Sequence, residues 1–230
     1  MGAARSSPQV ELAPEFGEPR WPIALAISAF IAITIAVRLA EPHSVSLGPH
    51  WLVAGIEIGL LLVLIAANPA RISRRHRWLR RVAVALIVGL VLVALAYTGK
   101  LISDLIQGSK VTESADSLLA SGALIWLGNC LVFSLLYWEL DSGGPRARYL
   151  HEHHYPDFAF TQQQSPELAP PDWRPRYVDY LVLGLTTNTA FGPTDVLPLA
   201  RWAKLTMALQ SLISVIVVGF VIARAVNVFK

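Results

Sequence analysis

Residues 186–195 read Thr-Thr-Asn-Thr-Ala-Phe-Gly-Pro-Thr-Asp and lie between two strongly apolar stretches, 180–185 and 202–226. Hydroxyl and amide groups at membrane depth are costly unless they are buried in protein or line water. Four consecutive polar side chains, Thr186 to Thr189, would occupy most of the circumference of a helix. Pro193 disfavours a helical conformation at Gly192 and so ends the segment. The stretch therefore predicts a helix end surrounded by other helices or by water.

The composition is typical of a membrane protein. Of the 230 residues, 54% are hydrophobic and 15% are charged, whereas an average globular domain has about 25% charged residues. Five stretches approach or reach the roughly 20 apolar residues that span a bilayer. They are residues 22–40, 51–67, 82–98, 118–138 and 202–226.

A shorter segment, residues 177–191, precedes the last apolar stretch. As a helix it would be about 21 Å long, which is short for a crossing. If it crosses the bilayer there are six spans, and if it dips in and leaves on the same side there are five. We favour six. The expected fold is an all-α, polytopic membrane helix bundle of five to six transmembrane helices, with a short broken or re-entrant helix before the last one.

A strongly basic segment between the second and third apolar stretches sets the expected orientation. Six arginines fall within eleven residues, and short basic loops stay in the cytoplasm. Their expected partners are anionic lipid headgroups rather than nucleic acid. The arginines are Arg71, Arg74, Arg75, Arg77, Arg80 and Arg81. We expect a multi-pass protein of the cell inner membrane with a cytoplasmic N-terminus.

Counting from this loop predicts four regions. Residues 1–20 form a disordered cytoplasmic tail, and 21–138 form a four-helix transmembrane region whose linkers 41–50 and 99–117 lie outside. Residues 139–176, with six prolines, are expected to form an irregular cytoplasmic linker. Residues 177–230 form a C-terminal helical hairpin.

Several isolated polar residues lie within the apolar stretches. Arg38 and Glu57 are expected at similar depth, and we predict that they pair because an unpaired charge in the membrane is expensive. Asn129 is expected to make a hydrogen bond between helices, and Cys130 to be a small buried side chain. No nucleotide loop, nucleophile–base pair or paired cysteines appear in the sequence, so we expect neither an enzyme nor a cofactor.

The C-terminal region resembles the pore segment of potassium-channel-type proteins. Residues 185–192 stand where the pore helix and filter lie, and Pro198-Leu-Ala-Arg201 and Ile222-Ala-Arg-Ala225 resemble the flanks. Ala190 and Pro193 depart from the glycine pattern of a potassium filter, so potassium selectivity is not implied. The resemblance implies a polar constriction for a small ion and a homo-oligomer, most simply a tetramer. The constriction residues would be Thr186, Thr187, Asn188, Thr189, Phe191, Gly192 and Asp195.

The C-terminal part of the chain also resembles a group of uncharacterised bacterial multi-pass membrane proteins. Four motifs carry this likeness: Tyr137-Trp-Glu-Leu-Asp-Ser-Gly-Gly-Pro145, Trp173-Arg-Pro-Arg-Tyr-Val-Asp-Tyr180, Thr189-Ala-Phe-Gly-Pro-Thr-Asp195 and Arg201-Trp-Ala-Lys204. This resemblance implies a bacterial inner-membrane protein and no particular activity.

Two functional hypotheses follow from the sequence. In the first, the protein is channel- or transporter-like, and the polar stretch lines an ion pathway to which Glu57 adds charge. In the second, it is a non-conducting structural or interaction protein, and the same polar residues only lock helices together.

Overall fold

The computed structural model describes residues 21–40, 55, 58–59, 76–107, 115–150, 155–189 and 195–228. Helices dominate this part of the chain, in agreement with the all-α prediction. The longer helices are α1 (Trp21–Ala40), α2 (His76–Gln107), α3 (Ala115–Leu140), α6 (Tyr177–Asn188) and α7 (Arg201–Val228). The shorter elements are the 3-10 turns Asp141–Gly143 and Pro166–Leu168, α4 (Pro145–Leu150), α5 (Thr161–Gln164), and the strands β1 (Phe158–Phe160) and β2 (Val196–Pro198).

Within the described part of the chain, three helical stretches are long and apolar enough to cross a membrane: Arg80–Gln107, Asp116–Gly143 and Arg201–Asn227. The apolar stretch Trp21–Val37 of α1 is shorter. These helices are compatible with an integral membrane protein. The predicted second span, 51–67, lies outside the described residues except for Gly55, Ile58 and Gly59. The count of five to six spans therefore stays a prediction.

α2 extends well beyond the predicted span, and the expected outer linker 99–117 is wrong at both of its ends. The helix continues to Gln107, and α3 already begins at Ala115. Leu101 and Leu105, four residues apart, are buried on the same helix face. On the same extension, Nζ of Lys100 lies 2.5 Å from Oδ2 of Asp104. The packing of Leu101 and Leu105 thus stabilises α2 beyond residue 98, where the predicted apolar span ends.

α3 is the central helix of the bundle. In its most apolar window 61% of the residues are buried, against 28% for the windows of α2 and α7. Two hydrophobic clusters lie towards its two ends, the first around Phe133 and Tyr137 and the second around Leu118 and Ile125. The first cluster continues into the short elements between α3 and α6. We call these elements, residues 141–150 and 155–176, the cap, and this end of the bundle the cap end.

α6 runs antiparallel to α3. At the cap end, the hydroxyl of Tyr180 in α6 donates to Asp141, which follows α3. Further along, Gly184 lies against Ser134. At its end, Asn188 donates to the carbonyl of Trp126. Residues later in α6 thus contact residues earlier in α3. α6 therefore starts at the cap end and ends near the middle of α3.

α7 also runs antiparallel to α3, starting from the same end. Its early residue Trp202 lies 5.6 Å from the Phe158 ring in the cap, centroid to centroid. Gln210 bonds Tyr137, and Val221 lies against Gly122 near the start of α3. α6 and α7 are therefore consecutive helices that lie parallel.

The chain must return to the cap end between these two parallel helices. α6 has 12 residues, and a helix of that length rises about 17 Å, roughly half of a 30 Å hydrocarbon core. By Asp195 the chain is back at the cap, because the carbonyl of Asp195 accepts from the Thr161 N–H and β2 pairs with β1. This path disagrees with the full crossing that the sequence favours, and it fits the alternative in which the segment enters and leaves the bundle at one end. The short length of α6, compatible with either path, had left the choice open.

The predicted irregular linker 139–176 is instead a folded cap. Phe158 and Phe160 of β1 are buried in the same cluster as Tyr137 and Tyr180. The two strands pair antiparallel, with Ala159 opposite Leu197. The prolines interrupt helices here without preventing a packed structure.

Site-specific labelling tests this chain path. In a Cys130→Ser background, single cysteines are placed at Asp172 before α6, at Leu197 after it, and at Asn227 near the end of α7; all three are exposed. A membrane-impermeant maleimide is expected to label Asp172→Cys and Leu197→Cys from the same side of the membrane. It should label Asn227→Cys from the other side. Labelling of the first two from opposite sides would show that α6 crosses.

Candidate functional site

The start of α6 follows from local sequence. The carboxylate of Asp179, in its first turn, accepts from the Arg176 N–H at 2.7 Å and so supports the helix N-terminus. Gly184 then permits close approach to α3. A Cβ at this position would lie 2.1 Å from the Ser134 Oγ and 3.1 Å from the Cys130 carbonyl oxygen. Any larger residue would push the two helices apart.

The end of α6 lies inside the bundle, where its last carbonyls lack partners within the helix. Each of the last four carbonyls nevertheless accepts a hydrogen bond. The donors are the Thr189 N–H to Leu185 at 3.0 Å, the Thr189 hydroxyl to Thr186 at 2.7 Å, the Ser211 hydroxyl to Thr187 at 3.0 Å and the Ser214 hydroxyl to Asn188. Two serines of α7 thus complete the hydrogen bonding of the neighbouring helix end.

The side chain of Asn188 connects three helices. It is 2% exposed, its Nδ2 donates to the Trp126 carbonyl of α3 at 2.8 Å, and its Oδ1 accepts from Nε2 of Gln210 in α7 at 3.1 Å. Because both ends of the amide are bonded, Asn188 holds the end of α6 against α3 and α7 together.

Gln210 and Ser214 extend this network. Nε2 of Gln210 also donates to the Gly184 carbonyl at 2.9 Å, and its Oε1 accepts from the Tyr137 hydroxyl at 2.5 Å. The Trp126 indole N–H donates to the Ser214 Oγ at 2.7 Å. We call the set Trp126, Tyr137, Thr187, Asn188, Gln210, Ser211 and Ser214 the polar knot. It joins α3, α6 and α7 through the backbone carbonyl of Thr187 and through side chains that are mostly buried.

The structure brings only part of the predicted constriction together. Thr187 and Asn188 are buried in the polar knot, Thr186 is half-buried and Thr189 is exposed. Asp195 lies exposed at the cap end, away from Asn188, because the chain has already returned there. Asp195 therefore does not lie with Thr187 and Asn188, and its part in a constriction stays a prediction. Phe191 and Gly192 lie outside the described residues.

The structure agrees with the predictions for two other polar residues, and part of the remaining set lies outside the described residues. Asn129 makes the expected bond between helices, donating from Nδ2 to Thr98 Oγ1 at 2.9 Å, and Cys130 is buried. Arg38 lies in α1, but Glu57 lies outside the described residues, so their pairing stays a prediction. Of the basic segment, Arg71, Arg74 and Arg75 also lie outside, Arg77 lies in α2, and Arg80 and Arg81 are exposed.

Sequence reasoning missed the α7 half of the polar knot. Thr206, Gln210 and Ser214 recur every four residues in an otherwise apolar stretch, and such residues lie on one helix face. This spacing predicts a polar stripe on α7. It does not say which helix the stripe faces, because that depends on the direction of α6.

A second buried polar centre, at the cap end, was also missed. Asp141 is 1% exposed, and its Oδ1 accepts from the N–H groups of Asp157 and Phe158 at 3.2 and 3.3 Å. Its Oδ2 accepts from the hydroxyl of Tyr180 in α6. The Arg148 guanidinium lies over the Tyr180 ring at 5.0 Å and adds a positive charge nearby. One carboxylate therefore attaches both the cap strand β1 and the start of α6 to the end of α3.

Removing the serine donors tests the polar knot. Ser211→Ala with Ser214→Ala leaves the Thr187 and Asn188 carbonyls without their α7 donors and the Trp126 indole without its acceptor. We expect the free energy of unfolding in detergent micelles to fall by about 1–3 kcal/mol. Ser28→Ala, at an exposed serine of α1, is the control and should change little. Equal stability of the double variant and the control would contradict the assignment.

Comparison with protein-family models, with curated proteins and with solved structures finds no match for this chain. The two resemblances described from the sequence therefore stay predictions. The candidate site is the end of α6 inside the bundle, together with the polar groups that hold it there.

Proposed function

We propose that this chain is a channel- or transporter-like integral membrane protein whose working element is the re-entrant helix α6 with the return segment that follows it. The observation that supports this best is the parallel arrangement of α6 and α7. A chain that needs only an anchor can cross the bilayer in one helix and leave no helix end inside. Irregular backbone at membrane depth is tolerated where it is buried in protein or lines a water-filled cavity, as in selectivity filters and the broken helices of transporters.

The contacts of α6 divide its residues between two roles. Thr187 and Asn188 face inward, where the polar atoms of Asn188 already have partners, so these residues hold the helix rather than line a pathway. The outward face carries Val178, Val182 and Leu185 and ends at the exposed Thr189. Ions would therefore meet Thr189 and the residues that follow it, with Phe191 and Gly192 among them. The Thr187 Oγ1 is buried and has no hydrogen-bond partner among the described residues.

A pathway on the outward face of α6 requires a second wall. We propose that other copies of the chain supply it, because one hairpin cannot enclose a conduit. This makes the homo-oligomer part of the same proposal. A strictly monomeric mass in detergent would argue against a shared pathway.

We further propose that the cap end faces the cytoplasm of a bacterial cell, at the inner membrane. Arg80 and Arg81 are exposed at this end, where anionic lipid headgroups would bind them. Trp21 and Trp78, 67% and 65% exposed in the first turns of α1 and α2, suit a membrane–water interface. In this orientation α6 enters from the cytoplasm, whereas a potassium-channel pore helix enters from outside.

A second candidate function rests on a different observation. Both ends of the Asn188 amide and the last four carbonyls of α6 are satisfied within one protomer. Each of these four carbonyls already accepts a hydrogen bond, so none of them is free to coordinate an ion. This favours a non-conducting structural or interaction protein whose polar residues lock helices together and whose cap binds a partner.

Ion flux separates the two candidates. Purified protein is reconstituted into liposomes, and sodium, potassium and chloride flux is measured against empty liposomes. We expect flux in the wild type and a fall of about fivefold or more in Thr189→Val, since loss of one hydroxyl contact is worth about 1 kcal/mol. Thr206→Val is the matched control, because the Thr206 hydroxyl donates to a carbonyl of its own helix, four residues back. Its flux should equal that of the wild type.

Two results would count against this proposal, the first against conduction itself and the second against the place proposed for the pathway. One is a folded wild type that shows no flux above empty liposomes for any of these ions. The other is equal flux in Thr189→Val and the wild type. The first result favours the structural protein, and the second moves any pathway away from the outward face of α6.

A further inference from the structure

We infer that β1 and β2 form a strap through which the cap sets the position of the tip of α6. The tip is defined as residues 187–189. The inference concerns coupling between two parts of the chain, and it holds for a conducting and for a non-conducting protein. It gives the cap the role of positioning the tip of α6 in addition to packing against the bundle.

The strap attaches the return limb, residues 195–200, to the cap. At one end of the strap, the Asp157 carbonyl accepts from the Leu199 and Ala200 N–H groups at 2.8 and 3.2 Å. At the other end, both the N–H and the hydroxyl of Thr161 donate to the Asp195 carbonyl, at 3.0 and 2.8 Å. The limb is thus held on both sides of the three-residue ladder.

The register of the ladder separates an inner from an outer face. Phe158, Phe160 and Val196 are buried, while Ala159 is half-buried and Leu197 is exposed. Pro198 lies opposite Phe158, in the alternate position that needs no N–H donor, so the proline costs no ladder bond. A two-stranded ladder of this length is marginally stable by itself. Its inner aromatic contacts hold it, while its outer face stays accessible.

The cap connects this strap to the other limb of the loop. Asp141 accepts from the Asp157 and Phe158 N–H groups, where β1 begins, and also from Tyr180 in α6. A shift of β1 relative to Asp141 therefore moves the return limb relative to α6. Asp195 lies six positions after Thr189, so their Cα atoms are at most about 20 Å apart. We infer that a shift of the return limb is passed to the tip over this short distance and through Tyr180 of α6.

A reversible cross-link tests the inference. Ala159→Cys and Leu197→Cys are combined with Cys130→Ser, because directly opposite residues of a hydrogen-bonded antiparallel pair are about 5.5 Å apart at Cα, within the disulfide range. Amide hydrogen exchange of residues 187–189 is then measured in the oxidised and the reduced protein. We expect exchange at the tip to slow by about tenfold on oxidation, because locking the strap suppresses local opening. Ala159→Cys alone, treated identically, is the control.

The opposite perturbation completes the test. Thr161→Val removes one of the two donors to the Asp195 carbonyl and keeps the other, and it should speed exchange at the tip. Thr206→Val, on α7, should leave it unchanged. Equal tip exchange in the oxidised and reduced proteins would overturn the inference. So would a pair of cysteines that does not cross-link, since the strands would then not lie together.

Discussion

A helix that ends inside a bundle must find donors for its last carbonyls, and the structure around α6 depends on how this need is met. The donors come from the Thr189 turn and from Ser211 and Ser214 of α7. Ser211 and Ser214 lie three residues apart on one face of α7. Gln210 donates to Gly184, Ser211 to Thr187 and Ser214 to Asn188, so the contacts advance in the same direction along both helices. The parallel packing and the capping of α6 are therefore one feature.

The same need explains the arrangement at the cap end. Two parallel consecutive helices require the chain to come back, and a returning limb must be held where it arrives. Asp141 meets this requirement from a single buried position, since it binds Tyr180 on the limb that enters and the start of β1, which pairs with the limb that returns. Gly184 contributes from the other side by letting α6 lie close to Ser134. The loop is thus fixed at its tip by the polar knot and at its base by the cap.

Much of the fold can be predicted from the sequence, because lengths of apolar runs and the Gly192-Pro193 stop are local signals. These identify α1, α2, α3 and α7, and they predict that α6 ends at Phe191, three residues beyond the observed end at Asn188. The path of α6 cannot be predicted in this way, since its length fits a dip and a tilted crossing equally well. Residues of the site can be predicted from the sequence, but their partners cannot, because these depend on the path of α6. Asn188 stands out as an amide in a short polar stretch between apolar ones, but its partner Trp126 lies 62 residues away in the sequence and no local pattern connects the two.

Asp141 shows a different limit of sequence reasoning. It stands in a polar, glycine-containing segment that reads as the start of a linker, and its partner Tyr180 is 39 residues away. Its burial depends on the folded cap, which depends in turn on β2 returning to the same end. The polar stretch 186–195 is continuous in sequence, but the fold places Asn188 near the middle of the bundle and Asp195 at the cap end.

α6 and α7 lie parallel, and a pair of distance measurements tests this arrangement most directly. Spin labels are attached to cysteines at exposed positions in a Cys130→Ser background, pairing Val178 in the first turn of α6 either with Leu205 or with Ile222 of α7. Parallel helices predict a shorter distance from Val178 to Leu205 than to Ile222. The reverse order would mean that the two helices are antiparallel, that α6 crosses the bundle, and that the account given for the polar knot is wrong.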